Sequence, residues 1–527
     1  MMKSRKAKVL LIIMLAIVVF GAVLVINTFR LTSKQIQVEP IQSPTVNESE
    51  VASRLAQALR FQTVSYQEAT QTKSEDAANK SEDANKGEDA NKGEQTTQTK
   101  GEAATQTKGE EFLGLHRYLE QTFPKIHSVL TKEVVGDYSL LYTWRGRNEQ
   151  LKPILLMGHQ DVVPVEPETL PKWEQPPFEG RMIDGYVWGR GAMDDKFAVI
   201  SIMEAVDMHL AEGFQLQRTI YLAFGHDEEV GGHHGAAKIA ELLRSRNVQL
   251  EYVLDEGLAI TDGVVPDIAK PVALIGVADK GYLSLELSVE IEGGHSSMPP
   301  AQTAIGILSA AVSKLEAQPM PASLEGVQRQ TLEYLGPEMP FGKRLVIANL
   351  WLLKPLVERK LAAAPSTNAT VRTTTASTMI ESGVKENVLP TRARAVVNFR
   401  ILPGDTIDRV IAHVSEVVND SRVKINRFGV SNNEATPISR TDTAGYEIIQ
   451  RTMRQVFADV LVAPGLCVGG TDSDHYLRLT NDIYRFSPLH LRPEDMKRLH
   501  GVNERTSVKD YAASVKFYYQ LINNSAR

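Results

Sequence analysis

Cysteine is almost missing from this 527-residue chain, in which Cys467 stands alone. An intramolecular disulfide and a cysteine-built zinc site are both excluded, although one thiol does not fix the compartment. An excess of basic charge is missing too. The formal net charge is −6, so the chain has no positive field for nucleic acid. Between about Glu68 and Glu111 the chain has no apolar surface to bury. KSEDAN at 80–85 returns as KGEDAN at 86–91, and TQTKGE stands at 97–102 and again at 105–110. Repeats this polar read as a disordered, solvated insertion. They are not a solenoid, whose repeats need an apolar face.

What is present is ordinary in bulk, with 43% hydrophobic and 23% charged residues, enough for a large core and more than one domain. The N-terminus is not ordinary. Lys3, Arg5, Lys6 and Lys8 precede an uncharged apolar run from Val9 to Ile26 that extends through Asn27 and Thr28 to Phe29. A helical span needs about 20 residues. No small-x-small cleavage site follows, so an uncleaved anchor over 1–30 is favoured over a secreted form made by signal cleavage. The basic flank should stay cytoplasmic and the rest lie outside, in a periplasm, at the cell exterior or in a vacuolar or secretory lumen. Residues 31–50 form a polar tether.

Beyond the repeats, KPILLMG (152–158), TIYLAFG (219–225) and YVLD (252–255) read as buried strands. KFAVISIMEAVDMHLAEG and HHGAAKIAELLRSR between them carry helical spacing. That alternation predicts an α/β sheet, largely parallel. From about Val277 the pattern becomes α+β: GYLSLELSVEI and ARAVVNFRI alternate with period two, with helices at 302–316 and in DTIDRVIAHVSEVV. The expected domains are 51–275 and 435–527 for the α/β part, with the repeats at 68–111 inserted in the first segment. An α+β insert occupies 276–434.

Three strands end in turns that carry candidate ligands: LLMGHQDVV, AFGHDEE and VLDEG. GRGAMDDK opens a helix with Asp194 and Asp195. Ligands of open α/β sheets bind beyond the carboxyl ends of the strands, so these turns can converge. Capping of a helix dipole is the plainer reading of any one acid. Four such turns at one sheet edge are harder to explain that way.

HQD, GRGAMDDK, GHDEE, VLDEG, GGHSSMPP, ENVLP, GGTDS and HGVNE occur in an order that resembles the aminoacylase/carboxypeptidase S family of di-zinc peptidases, from about Ser53 to the C-terminus. The likeness is greatest to the branch of carboxypeptidase S and N-fatty-acyl-amino-acid synthase/hydrolase. It implies a zinc-peptidase catalytic domain with a mainly parallel sheet flanked by helices. The α+β insert would be a lid or dimerisation domain, and the anchor a transmembrane helix. Two zinc ions are implied, with manganese or cobalt as substitutes. Asp194 would bridge them, with His159 and Asp255 on one ion and Glu229 and His500 on the other. Asp161 would orient His159. Glu228 would be the general base for a metal-bridging hydroxide. By the same resemblance the Asp194–Asp195 peptide is expected to be cis, and His295 to stabilise the oxyanion, in several relatives from across a dimer interface. Asn387, Arg400, Gly470 and Thr471 match substrate contacts. Arg400 could equally be a strand-end surface pair, and Asn387 a turn residue before Pro390.

His226, His233 and His234 fall outside the ligand pattern and read as supporting or surface residues. His490 is the rival of His500, but HGVNE carries the match. The expected activity is cleavage, or reversible formation, of the amide bond of N-acyl amino acids, N-fatty-acyl ones included. The alternatives are a carboxypeptidase S-like exopeptidase on short peptides and, more remotely, a non-catalytic membrane-tethered binding protein. Expected partners are the small-molecule substrate, a lipid bilayer at the N-terminal helix and a second copy through the lid.

Overall fold

A computed structural model describes residues 2–39, 41, 44–66, 109–429 and 432–526. The repeat stretch therefore lies outside the described residues, apart from 109–111, which begin a helix. The chain divides into two compact units: 41–256 with 475–480 and 487–527, and 1–40 with 257–474 and 481–486.

The first unit is built on a mixed sheet. Its strands lie in the order Thr131–Val135, Ser139–Trp144, Ile220–Gly225, Ile154–His159 and then Val253–Thr261, which continues into the other unit. The first two pair antiparallel, and Ser139–Trp144 is also antiparallel to Ile220–Gly225. Ile154–His159 is parallel to both of its neighbours. All six residues of Ile154–His159 are buried, as expected of a parallel strand covered on both faces. Helix Lys196–Ala211 packs on this strand and is mostly buried; Glu48–Ala58 and Val508–Ser525 pack on that helix. The chain passes from Ile154–His159 to the neighbour on one side, then crosses to the neighbour on the other. That reversal makes a crevice at the carboxyl end of Ile154–His159, where ligands of such sheets bind.

In the second unit, Thr374–Ser382, Arg392–Ile401, Gly281–Glu290 and Val423–Arg427 form an antiparallel sheet in that order. Every second residue points into one core: Leu283, Leu285, Leu287 and Val289 meet Ala395, Val397 and Phe399 beneath helices Ala304–Ala317 and Ile407–Val418. Alternation of this kind is what a sheet with one solvated face requires.

Four helices at Val327–Leu335, Phe341–Ala348, Leu350–Leu361 and Pro365–Val371, and the strand Thr374–Ser382, have no counterpart in the sequence reading. The helices are short and Pro337, Pro340, Pro355 and Pro365 punctuate them, so no long periodicity accumulates. The strand is exposed over most of its length and so lacks an apolar alternation.

Candidate metal centre

The carboxyl end of Ile154–His159 delivers His159, which is buried with its ring between two acids. Its Nε2 lies 2.9 Å from Asp194 Oδ1, and its Nδ1 lies 3.0 Å from the Asp161 carbonyl and 3.3 Å from Asp161 Oδ1. Asp161, fully buried, turns its carboxylate to the next strand-end turn. It accepts from the backbone N–H of Glu228 and of Glu229, each at 3.2 Å. One carboxylate thus fixes an imidazole and the turn that carries the paired glutamates.

The other oxygen of Asp194 reaches a different segment. Asp194 Oδ2 is 2.9 Å from His500 Nε2, which also lies 3.5 Å from Glu229 Oε2. Asp194 therefore faces one histidine with each oxygen. Among the described residues, three sets of ligand atoms lie within 4.8 Å of one another: His159, Glu228 and Glu229; His159, Asp194 and Glu256; Asp194, Glu229 and His500. Glu256 was not singled out from the sequence, although it stands inside VLDEG beside the buried Asp255. The Asp194–Asp195 peptide is cis. Asp195 begins the helix without a side-chain cap bond, so capping does not explain it. Its Oδ2 instead accepts from the His159 N–H at 3.2 Å.

Two residues with no role in the family pattern above, Arg190 of GRGAMDDK and Glu504 of HGVNE, tie the site together from behind. Glu504 Oε1 accepts from the N–H groups of Gly191, Met193 and Asp194 at 3.0, 2.8 and 3.3 Å. Its Oε2 pairs with Arg190 Nη1, and both side chains are buried. Arg190 Nη2 donates to the carbonyls of His500 and Gly501 at 3.1 and 3.2 Å. His500 has a left-handed backbone, φ 56°, so this loop needs such a clamp. Buried donors and acceptors that answer one another across 300 residues leave no local signal in a sequence.

The electrostatics are those of a cation site. Burial alone would lower the His159 pKa, yet hydrogen bonds to Asp161 and Asp194 raise it well above the usual value. Hydrogen bonds to Asp194 and Glu229 push His500 up to about 10. Burial pushes Glu256 upward, with Asp194 and Glu228 adding to it. Glu229 Oε1 is buried without a hydrogen bond. Imidazole and carboxylate donors in this arrangement fit a divalent metal of the hydrolytic type.

The remaining candidates are placed as follows. His226 bonds Ser139 Oγ at 2.7 Å and lies edge-on to Phe112 and Tyr138. The His234 N–H donates to Asp227, His233 lies against His475, and His490 is 3.7 Å from Asp510. Among the described residues none of these histidines joins a ligand group. Within the other unit, His295 and Asn387 are brought to one two-stranded ribbon: His295 pairs with Val388, and Ser296 N–H donates to the Asn387 carbonyl at 3.2 Å. Arg400 lies over the Tyr282 ring at 4.8 Å. Gly470 is exposed, and Thr471 Oγ1 is 2.6 Å from Ser473 Oγ.

The model of peptidase family M20/M25/M40 matches residues 155–524. The chain belongs to this family. Its M20 branch is generally zinc-dependent, in keeping with the donor set above, and the protein is accordingly a metallopeptidase-type amidohydrolase. The chain is 42% identical over 514 residues to the probable carboxypeptidase S-like 2 of Dictyostelium discoideum, covering 96% of this chain and 92% of that protein. It is 46% identical over 412 residues to the N-fatty-acyl-amino acid synthase/hydrolase PM20D1 of Xenopus tropicalis, covering 77% and 80%. The M20 family metallo-carboxypeptidase Sso-CP2 of Sulfolobus solfataricus has the same fold, with a TM-score of 0.60 at 16% identity over 91% of this chain and 99% of that one.

Proposed function

We propose that this M20 enzyme hydrolyses, and in reverse forms, the amide bond between an acyl group and an amino acid, N-fatty-acyl amino acids included. The observation that carries the reading is Asp194, which faces His159 with one oxygen and His500 with the other beside the paired Glu228 and Glu229. That arrangement suits two metal ions with Asp194 shared between them. Glu229 and His500 would hold one ion, and His159 with Asp255 or Glu256 the other, with zinc, manganese or cobalt as the metal. The bound ions would supply Lewis acidity toward the carbonyl and toward water.

Glu228 would take the proton of the attacking water on its carboxylate and return it to the leaving nitrogen. Asp161 keeps His159 and the Glu228–Glu229 turn in register. His295 would steady the oxyanion, and Arg400 would take the free carboxylate of the amino acid, for which a guanidinium fork is suited. Asn387, Gly470 and Thr471 would add polar contacts to the substrate. The likeness to PM20D1 supports acyl amino acids, and the likeness to carboxypeptidase S-like 2 supports short peptides.

Helix Met2–Arg30 contains a span, Lys8–Arg30, long and apolar enough to cross a membrane. We read it as an uncleaved anchor with its basic end in the cytoplasm. The exposed edge strand Thr374–Ser382, which shows Met379 and Ile380 to solvent, suits pairing with a second copy. We read 276–434 as the lid or dimerisation domain.

A hydrolysis screen of the full-length enzyme against N-oleoyl, N-acetyl and dipeptide substrates tests the substrate class. Glu228→Ala should keep its metal and lose at least 100-fold in kcat, in line with general-base catalysis. Wild-type turnover by that variant would remove Glu228 from the mechanism.

A further inference from the structure

We propose that the two helices Phe341–Ala348 and Leu350–Leu361 form a hairpin that dips into the lipid bilayer beside the N-terminal anchor. The inference rests on the reading of Met2–Arg30 as a membrane span and adds a second embedded element to it.

The anchor is not bare over its last turns. Gly21, Leu24, Asn27, Thr28 and Leu31 are partly or fully covered, while Ala22, Val23, Val25, Ile26 and Phe29 are exposed. Spacings of three and four mark one helical face. The first helix of the hairpin, Phe341–Ala348, covers that face and runs antiparallel to the anchor. Phe341 meets Phe29 at 6.3 Å between ring centroids, and Trp351 meets Phe20 at 6.2 Å. Nine residues of helix separate Phe29 from Phe20, about 13 Å at 1.5 Å per residue. If Lys8–Arg30 crosses the bilayer, the hairpin tip lies well within one leaflet, whose apolar half is about 15 Å thick.

The composition suits that depth. Leu345 to Leu353 reads LVIANLWLL, uncharged, with charges only at its flanks in Lys343, Arg344 and Lys354. Its one strongly polar residue is answered from within. Asn349 is fully buried, accepts from Asn27 Nδ2 at 2.9 Å and donates to the carbonyls of Leu24 and Leu345 at 3.1 and 2.8 Å. The Trp351 indole N–H also finds Asn349, at 3.3 Å. Polar groups at membrane depth have to be satisfied by protein, and an asparagine pair between helices is a known way to do so. At the base, Arg344 donates to the carbonyls of Thr28 and Leu31, where a guanidinium can reach the headgroups.

The uncovered apolar side chains are Phe341, Trp351, Leu352 and Leu356, which are 53%, 63%, 41% and 61% exposed, while the exposed charges, Lys343, Arg359 and Lys360, stand toward the outer ends of the two helices. This patch is continuous with the exposed apolar flank of the anchor. The surface next to a membrane span meets lipid, and lipid is the occupant assigned to it.

The test uses the full-length chain in lipid nanodiscs, with Cys467→Ala as background and single cysteines carrying an environment-sensitive fluorophore. Val18→Cys reports on the anchor, Leu352→Cys and Leu356→Cys on the hairpin, and Lys385→Cys on an exposed strand-end turn. Lipids brominated on the acyl chain should quench Val18, Leu352 and Leu356 several-fold more than Lys385, and aqueous iodide should show the reverse order. Quenching of Val18 by lipid, with Leu352 and Leu356 quenched only by iodide, overturns the hairpin and leaves the anchor intact. Quenching of the hairpin sites by neither agent means that protein covers them, which also overturns the proposal. Failure of Val18 itself to meet lipid overturns the anchor and the hairpin together.

Discussion

Glu504 contributes no atom to the ligand groups, yet its removal should be felt there. In Glu504→Ala the N–H groups of Gly191, Met193 and Asp194 and the Arg190 guanidinium lose their shared acceptor. Each buried donor left unanswered costs about 1–3 kcal/mol, and breaking a buried pair by deleting one partner costs about 3–5 kcal/mol. These costs overlap, because one relaxation of the loop answers several donors, so about 4 kcal/mol is expected in total. That lowers the melting temperature of the unit by roughly 10 °C. Arg190 also holds the carbonyls of His500 and Gly501, so the His500 ring should lose its aim at Asp194. Metal affinity should then fall by roughly 10- to 100-fold, the usual effect of losing such outer support. Glu504→Gln keeps an oxygen for the three amides but turns a donor or a neutral group toward Arg190, and should fall between. Calorimetry and chelator competition on the same preparations measure both quantities. Glu504→Ala that melts within about 2 °C of wild type, with unchanged metal affinity, would refute the reasoning.

Further outcomes are expected at and away from the site. Of Asp255→Asn and Glu256→Gln, the variant that loses about one metal equivalent identifies the ligand on the His159 side; equal retention by both would show that neither residue binds. A chelator should abolish hydrolysis while the sheets stay folded, as read by circular dichroism, and zinc should restore it. Metal binding needs neutral imidazoles, whereas Asp194 and Glu229 raise the proton affinity of His500 to about 10 in the metal-free protein. Metal affinity should therefore rise with pH between about 6 and 9, with proton release visible as a buffer-dependent binding enthalpy. Leu287→Ala, in the core of the four-stranded sheet, should cost about 2–5 kcal/mol without altering metal content.

The α/β core could be read from sequence because its strands are continuous apolar runs that end in His159, in the Glu228–Glu229 turn and in Asp255. The antiparallel sheet was readable for the complementary reason, that Leu283, Leu285, Leu287 and Val289 alternate with polar residues. Motif order placed Asp194 and His500 near one another, and the geometry brings them to 2.9 Å. What stayed hidden has no periodicity. Glu256 and Asp255 are neighbours with the same chemistry, and only the twist of the strand decides which oxygen faces His159. The Arg190–Glu504 tie joins two remote loops. The hairpin at Asn349 is apolar because of what lies beside it, a fact no local window contains.

The strand Arg505–Ser507 pairs with Tyr186–Trp188, and with His500 and Glu504 it closes the site from the last thirty residues of the chain. His159, Asp194, Glu228 and Asp255 are all synthesised first, the last of them 245 residues before His500. At roughly 5–20 residues per second, the growing chain spends some ten to fifty seconds with these four residues made and its second histidine absent. On the proposed ligand set, the chain gains hydrolytic competence only once His500 and Glu504 have been made and have folded onto Asp194 and Arg190. A nascent or C-terminally truncated chain should carry no hydrolytic activity into the compartment where it is made, however well its first half folds.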